Sequence, residues 1–285
     1  MGRKVQLGLG VLGLAAAIGA AIYVYQRFVG RSPLRFTYLT GSISDVGYEE
    51  LASKPGWSKT QLQVAPGVRL NGLLRRPEAA DATWILFYPG NDDHMLARGQ
   101  RLLGKLAQGR DLGLAVFAYR GFDSSGGTPV IESLGADASA ILEHVAGLPG
   151  VKRERLHVVG FSIGGHLAVR AAAAANREQR PPASLSLMAC VNDIVMLQRA
   201  PWQKLLLGDI LRTQPFLTLV PAPVLVVQGT ADEALQGAVQ GQAISRTLGA
   251  RAQYLELQGV GHEALLDDEP ALQAVREFIG QHERR

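Results

Sequence analysis

Ser162 stands in 160-GFSIG-164, directly after the apolar run 155-RLHVVG-160, and Gly165 follows it. A serine hydroxyl is a weak nucleophile until an imidazole takes its proton, and that imidazole needs a carboxylate to fix its tautomer and stabilise the imidazolium. Both partners occur downstream. Asp232 lies in 229-GTADE-233 and His262 in 259-GVGHE-263, each just past a strand-like run. The three together could attack a carbonyl carbon and hold an acyl group on the serine oxygen. The glycines suit this task, because a strand that turns abruptly into a helix strains the serine backbone and lifts its hydroxyl above the sheet, where side chains at Gly160 and Gly164 would block the close approach.

Other residues compete for these roles. Asp193 in 191-VNDI-194, past the preceding strand, is the alternative acid. Glu233 and Glu263 read as solvated neighbours. His166, one turn into the helix after Ser162, cannot easily face the hydroxyl and reads as structural. His94 either lines a pocket or starts a helix, and His144, His157 and His282 take no role.

The elements that must position the trio alternate along the chain. Strand-like pieces are 34-LRFTYL-39, 60-TQLQVA-65, 68-VRLNGLL-74, 83-TWILFY-88, 114-LAVFAY-119, 155-RLHVVG-160, 184-SLSLMA-189, 223-PVLVVQ-228 and 252-AQYLEL-257. Helical stretches are expected over 95–109, 132–147, 163–176, 236–248 and 269–281. Continuous apolar strands alternating with helices predict an α/β fold with a mainly parallel sheet covered on both faces, and the first strands predict an antiparallel start. Both Asp232 and His262 then fall at the carboxyl edge of the sheet, where open α/β sheets bind ligands. The connection 191–222 is too long for a plain turn. Trp202, Leu205, Leu206, Leu207 and Leu211 give it near-helical apolar spacing, so it is expected to be a small lid-like insertion or an amphipathic helix on the core.

The first thirty residues stand apart. Between Lys4 and Arg27 the chain carries no charge, enough as a helix to cross a hydrocarbon core about 30 Å thick. Residues 1–30 are therefore expected to form a transmembrane anchor, with a cleaved signal peptide as the alternative, and residues 31–285 the remaining domain. Single-pass membrane localisation follows, or secretion or a periplasmic location if the N-terminus is removed. The match of 8-GLGVLG-13 to a dinucleotide fingerprint is empty, since the first acidic residue is Asp45 and no acid stands about 20 positions on to meet a ribose.

Composition excludes several classes. The formal charge is +4 across 285 residues, but the cations are scattered and not interleaved with aromatics, which argues against nucleic-acid binding. The single cysteine, Cys190, precludes an internal disulfide and reads as a small buried hydrophobe. No HExxH motif, cysteine cluster or P-loop gives a basis for metal or nucleotide chemistry.

At the Ser–Asp–His order, and across about residues 34–281, the chain resembles the α/β-hydrolase superfamily. The pieces 88-YPGND-92 and 119-YRGFDSSGG-127 resemble a membrane-anchored branch of serine hydrolases that carries His-Gly-Asn after the third strand and Tyr-Arg-Gly with a Ser-Gly tail after the fourth. Pro89 departs from the usual histidine, and Asp123 stands where glycine is common. The resemblance implies cleavage of carboxylic esters or thioesters, of small molecules or lipids, without a cofactor. It also implies an oxyanion hole made by the backbone N–H groups of Asn91 and Ile163. Two other readings stay open: an α/β-hydrolase peptidase, and a non-catalytic binding protein on the same fold.

Overall fold

The computed structural model describes residues 44–91, 94–129, 131–193 and 211–283. Within them the chain runs α1 (Asp45–Ala52), β1 (Trp57–Ala65), β2 (Val68–Arg75), β3 (Trp84–Tyr88), α2 (Met95–Ala107), β4 (Gly113–Phe117), α3 (Ile131–Ala146), β5 (Leu156–Phe161), α4 (Ile163–Arg177), β6 (Ser184–Met188), α5 (Gln214–Leu217), β7 (Val224–Gly229), α6 (Val239–Leu248), β8 (Ala252–Leu257) and α7 (Glu269–Gln281). The strands form one sheet in the order β1-β2-β4-β3-β5-β6-β7-β8. β1 pairs antiparallel with β2 and β2 with β4, and every later pairing is parallel. The expected mainly parallel sheet with an antiparallel start is thus what the chain builds.

Burial explains the strand composition. β3 to β7 are buried along their whole length, which requires the uninterrupted apolar runs WILFY, GLAVF and VLVVQG. The edge strands β1 and β8 are half-solvated and mix polar with apolar residues. Helices α2 and α7 pack together on one face, and α3, α4, α5 and α6 form a continuous layer on the other. Helix α1 was not legible in the sequence; Ser44 caps it by accepting from the Gly47 amide, and the Tyr48 hydroxyl lies 2.8 Å from the Gly72 carbonyl of β2.

One expectation is corrected. Among the described residues no helix is long and apolar enough to cross a membrane, so single-pass membrane localisation through an N-terminal helix does not stand. A spanning helix needs about 20 apolar residues. The longest described helix, α3, has 16, and its periodicity is that of a helix covering a sheet. The apolar stretch 5–26, the strand-like piece 34–39 and the residues Trp202, Leu205, Leu206 and Leu207 all lie outside the described residues. Of the long connection, residues 191–193 and 211–222 are described, and its two ends meet: the Thr213 amide donates to the Asn192 carbonyl at 2.7 Å, and Asp193 bridges to Arg212.

Two buried histidines make the fold acid-sensitive. His157 of β5 contacts the Ser184 hydroxyl at 2.7 Å, and burial holds its pKa down at about 4; burial of His166 in α4 brings it to about 3. Both are neutral when folded, whereas in the unfolded chain each titrates near about 6.5. Below that pH the unfolded state binds protons that the folded state refuses, so stability is full above about 6.5 and falls as pH drops towards the folded values. By pH 4 the two sites together should remove on the order of 6 kcal/mol, comparable to the whole stability of a typical domain. Urea midpoints are expected to decline continuously from about pH 6.5 to 4; a flat midpoint over that range would refute the assignment.

Candidate active site

The glycines around Ser162 each answer a specific contact. A Cβ on Gly160 would lie 2.6 Å from the Gly164 carbonyl oxygen; one on Gly164 would lie 2.1 Å from the Tyr88 oxygen; one on Gly165 would meet Cys190 Sγ at 2.6 Å. The strand β5, the end of β3 and the start of β6's loop therefore press directly on the first turn of α4. Between them Ser162 adopts φ 56° and ψ −121°, a conformation that non-glycine residues rarely hold. It is fixed by three backbone bonds: its amide donates to Met188 O at 3.0 Å, and its carbonyl accepts from Gly165 N at 3.1 Å and Val191 N at 3.3 Å. Cys190 is buried, with its thiol pKa raised by desolvation, in keeping with a packing role.

Asp232 and His262 come together from successive loops. His262 Nδ1 lies 2.8 Å from Asp232 Oδ2. Asp232 is fully buried and its carboxylate accepts two further bonds, from Gln228 Nε2 at 2.8 Å to Oδ2 and from Leu235 N at 2.9 Å to Oδ1. A carboxylate surrounded by donors orients the ring so that Nδ1 carries the proton and Nε2 is left as a base. The two loops are held together by their backbones: Ala231 N donates to Val260 O at 3.1 Å, and a Cβ on Gly229 would meet that same oxygen at 2.1 Å.

Phe161 joins this pair to the serine. Its ring packs on the His262 ring with centroids 4.8 Å apart, and it immediately precedes Ser162. Gly90 closes the other side, since a Cβ there would come within 2.8 Å of the Phe161 ring and 3.3 Å of Ser162 Cβ. The segment Pro89-Gly90-Asn91 thus lies against the serine, anchored where the Tyr119 hydroxyl donates to Pro89 O at 2.8 Å. No hydrogen bond joins Ser162 Oγ to His262 among the described residues, a contact that commonly tightens only with substrate.

The remaining candidates separate clearly. Asp193 turns away to Arg212, and its amide, like that of Asn192, donates to Gln240 Oε1. Glu263 is exposed and pairs with Arg98. His166 faces away from the serine hydroxyl's partners: its Nδ1 donates to Thr213 Oγ1 at 2.8 Å, which in turn donates to Val191 O at 2.5 Å. His94 occupies the N-cap position of α2 and lines a surface groove with Trp57 and Arg98. Ile163 is the first residue of α4, where an amide has no intrahelical acceptor, and Asn91 is exposed at the mouth of β3's loop. Among the described residues no group of three or more His, Cys, Asp and Glu is placed to hold a metal ion.

Asp123, at the position where glycine is common, takes φ 42° and is buried, with Oδ2 accepting from Leu96 N at 2.7 Å in the first turn of α2. It caps the helix that follows Asn91. Gly90 and Tyr119 stood inside the quoted pieces 88-YPGND-92 and 119-YRGFDSSGG-127 without roles of their own, and Phe161 and Gln228 were not singled out from the sequence. Of the latter two, only Gln228 carried a readable signal, as a polar residue ending an otherwise apolar strand.

No family model matches the chain. An uncharacterized protein of Mycobacterium tuberculosis is 28% identical over 232 residues, covering 79% of this chain and 80% of that protein. Among solved structures, the esterase Pf2001 of Pyrococcus furiosus superimposes with a TM-score of 0.64 at 13% identity, over 86% of this chain and 97% of that one. The α/β hydrolase GrgF of a Penicillium species superimposes with a TM-score of 0.61 at 14% identity, over 80% and 99% of the two chains. The chain has the α/β-hydrolase fold. In these terms the β5–α4 junction is the fold's elbow, and the loops after β7 and β8 bring Asp232 and His262 to the same edge of the sheet.

Proposed function

We propose that the chain is a serine hydrolase that cleaves carboxylic ester or thioester bonds of small acyl substrates. The observation that carries this reading is the pair of buried Asp232 and part-buried His262, 2.8 Å apart, packed on the residue that precedes a strained serine at the elbow. The likeness to a Pyrococcus furiosus esterase supports the same reaction class.

In the mechanism Ser162 Oγ attacks the acyl carbon while His262 Nε2 takes the hydroxyl proton. Asp232 holds the Nδ1 proton and stabilises the imidazolium without itself becoming protonated. The negative charge that develops on the carbonyl oxygen is met by the backbone N–H groups of Ile163 and Asn91. Collapse breaks the bond to the leaving group, which departs as an alcohol or thiol with the proton from Nε2. Water then attacks the acyl-enzyme, His262 again acting as base, and the carboxylic acid leaves with Ser162 restored.

Incubation with a fluorophosphonate probe should add one phosphonyl group on the peptide containing Ser162, and p-nitrophenyl acetate should release a burst of p-nitrophenol matching the enzyme concentration if deacylation is the slower step. A protein that takes up no probe on Ser162 is not a serine hydrolase.

The oxyanion assignment rests on a backbone donor. Asn91→Ala is therefore expected to keep most activity, whereas Asn91→Pro, which removes the N–H, should lower kcat by about 10²- to 10³-fold. Equal losses in steady-state assays of the two variants would shift the role to the side chain.

A further inference from the structure

The outer surface of α4 carries a cation, Arg170, with no counter-charge among the described residues. Arg170 lies where α4 crosses α3 at Gly135. A Cβ built on Gly135 would fall 2.3 Å from Arg170 Cζ, 2.5 Å from Nη2 and 2.7 Å from Nε, so the guanidinium rests on the backbone of α3 and the seat exists only because position 135 is glycine. Arg170 Cζ also stands 5.1 Å from the centroid of the Phe216 ring in α5. Backbone and aromatic ring therefore confine the group, while its N–H donors find no acceptor among the described residues.

Those donors border a surface pocket of about 240 Å³, also lined by Ala136, Ser139, Ala173 and Arg177. No carboxylate among the described residues lines it. Burial lowers the pKa of Arg170, and no acid among the described residues opposes that shift. Two other part-buried arginines meet carboxylates instead: Arg120 meets Asp137 through two bonds of 2.5 and 2.7 Å, and Arg153 meets Glu143 at 2.6 Å. Desolvating a cation without a partner is costly, so a site that retains one is suited to an anion supplied from solution.

We propose that this pocket binds a small oxyanion, a carboxylate or a phosphate, through the fork of Arg170 with Arg177 as the second charge. A planar guanidinium presents paired N–H groups that match two oxygens of either anion, and confinement by Gly135 and Phe216 reduces the entropy lost on binding. The alanine walls admit a compact ligand with a short apolar tail. None of the lining residues belongs to the proposed triad, so this site stands whether or not Ser162 is a nucleophile.

The test is titration of the full chain at low ionic strength with inorganic phosphate and, separately, with acetate, followed by isothermal calorimetry and by the ¹⁵N shift of Arg170 Nε. Saturable binding of at least one anion is expected, with the Arg170 signal moving along the same isotherm; the preferred anion tells a phosphate site from a carboxylate site. Arg170→Lys keeps the charge and loses the fork, and should weaken binding by about tenfold. Arg177→Gln, at an exposed position that leaves the fold intact, should weaken it by a smaller factor. Absence of saturable binding with both anions overturns the proposal, and so does binding that leaves the Arg170 signal unmoved or that persists undiminished in both variants.

Discussion

Ser162→Ala is expected to lower kcat on p-nitrophenyl esters by about 10⁶-fold, and His262→Ala by nearly as much, because nucleophile and base act as a unit and either loss removes the covalent route. The double variant should be no worse than either single one. The fold should persist: alanine inherits the φ 56° backbone that serine already tolerates, and the bonds from Ser162 to Met188, Gly165 and Val191 are all backbone bonds. Comparing the denaturant midpoints of wild type and variant separates lost chemistry from lost structure. Turnover in Ser162→Ala within about tenfold of wild type would leave the proposed nucleophile without support.

Asp232→Asn should cost about 10⁴-fold in kcat. The reason lies in what surrounds the carboxylate: His262 Nδ1, Gln228 Nε2 and Leu235 N all face it as donors. An amide offers only one oxygen, so its NH₂ must confront either the Leu235 amide or the His262–Gln228 pair. The first arrangement removes the charge that stabilises the imidazolium, and the second drives the proton from Nδ1 to Nε2, where the base is needed. Asp193→Asn, by contrast, should stay near wild-type activity, since Asp193 turns to Arg212. A larger loss in Asp193→Asn than in Asp232→Asn would exchange the two assignments.

That choice between aspartates marks the boundary of what the sequence disclosed. Both follow a strand at the same edge of the sheet, and no local pattern distinguishes them; what favours Asp232 in the proposal is that Gln240 captures the amides of Asn192 and Asp193 while Gln228 and the Leu235 amide enclose Asp232. The elbow was legible because its glycines are required within a few residues of one another. The central strands were legible because burial on both faces demands unbroken apolar runs. Helix α1 escaped notice because 45-DVGYEELA-52 buries only Tyr48 and Leu51. Asp123 stood out as a departure from glycine, but its role as a cap on α2 was not legible because it joins two segments far apart in the chain. The apolar N-terminal stretch suggested a membrane span on hydropathy alone, and the helices of the described chain instead serve to cover a sheet.

The position of β3 bears on how the chain reaches this structure. β3 sits between β4 and β5, both of which come later in sequence, and each of its pairings is parallel. The hairpin β1–β2 can form from neighbouring residues, but the centre of the sheet cannot close until β5 has been made. A nascent chain ending between α3 and β5 therefore carries one edge of the wholly apolar WILFY strand without its partner, exposing a row of unpaired backbone groups. Such non-local pairing folds slowly, and during synthesis that bare edge is where association with another chain, or with a chaperone, would compete with folding.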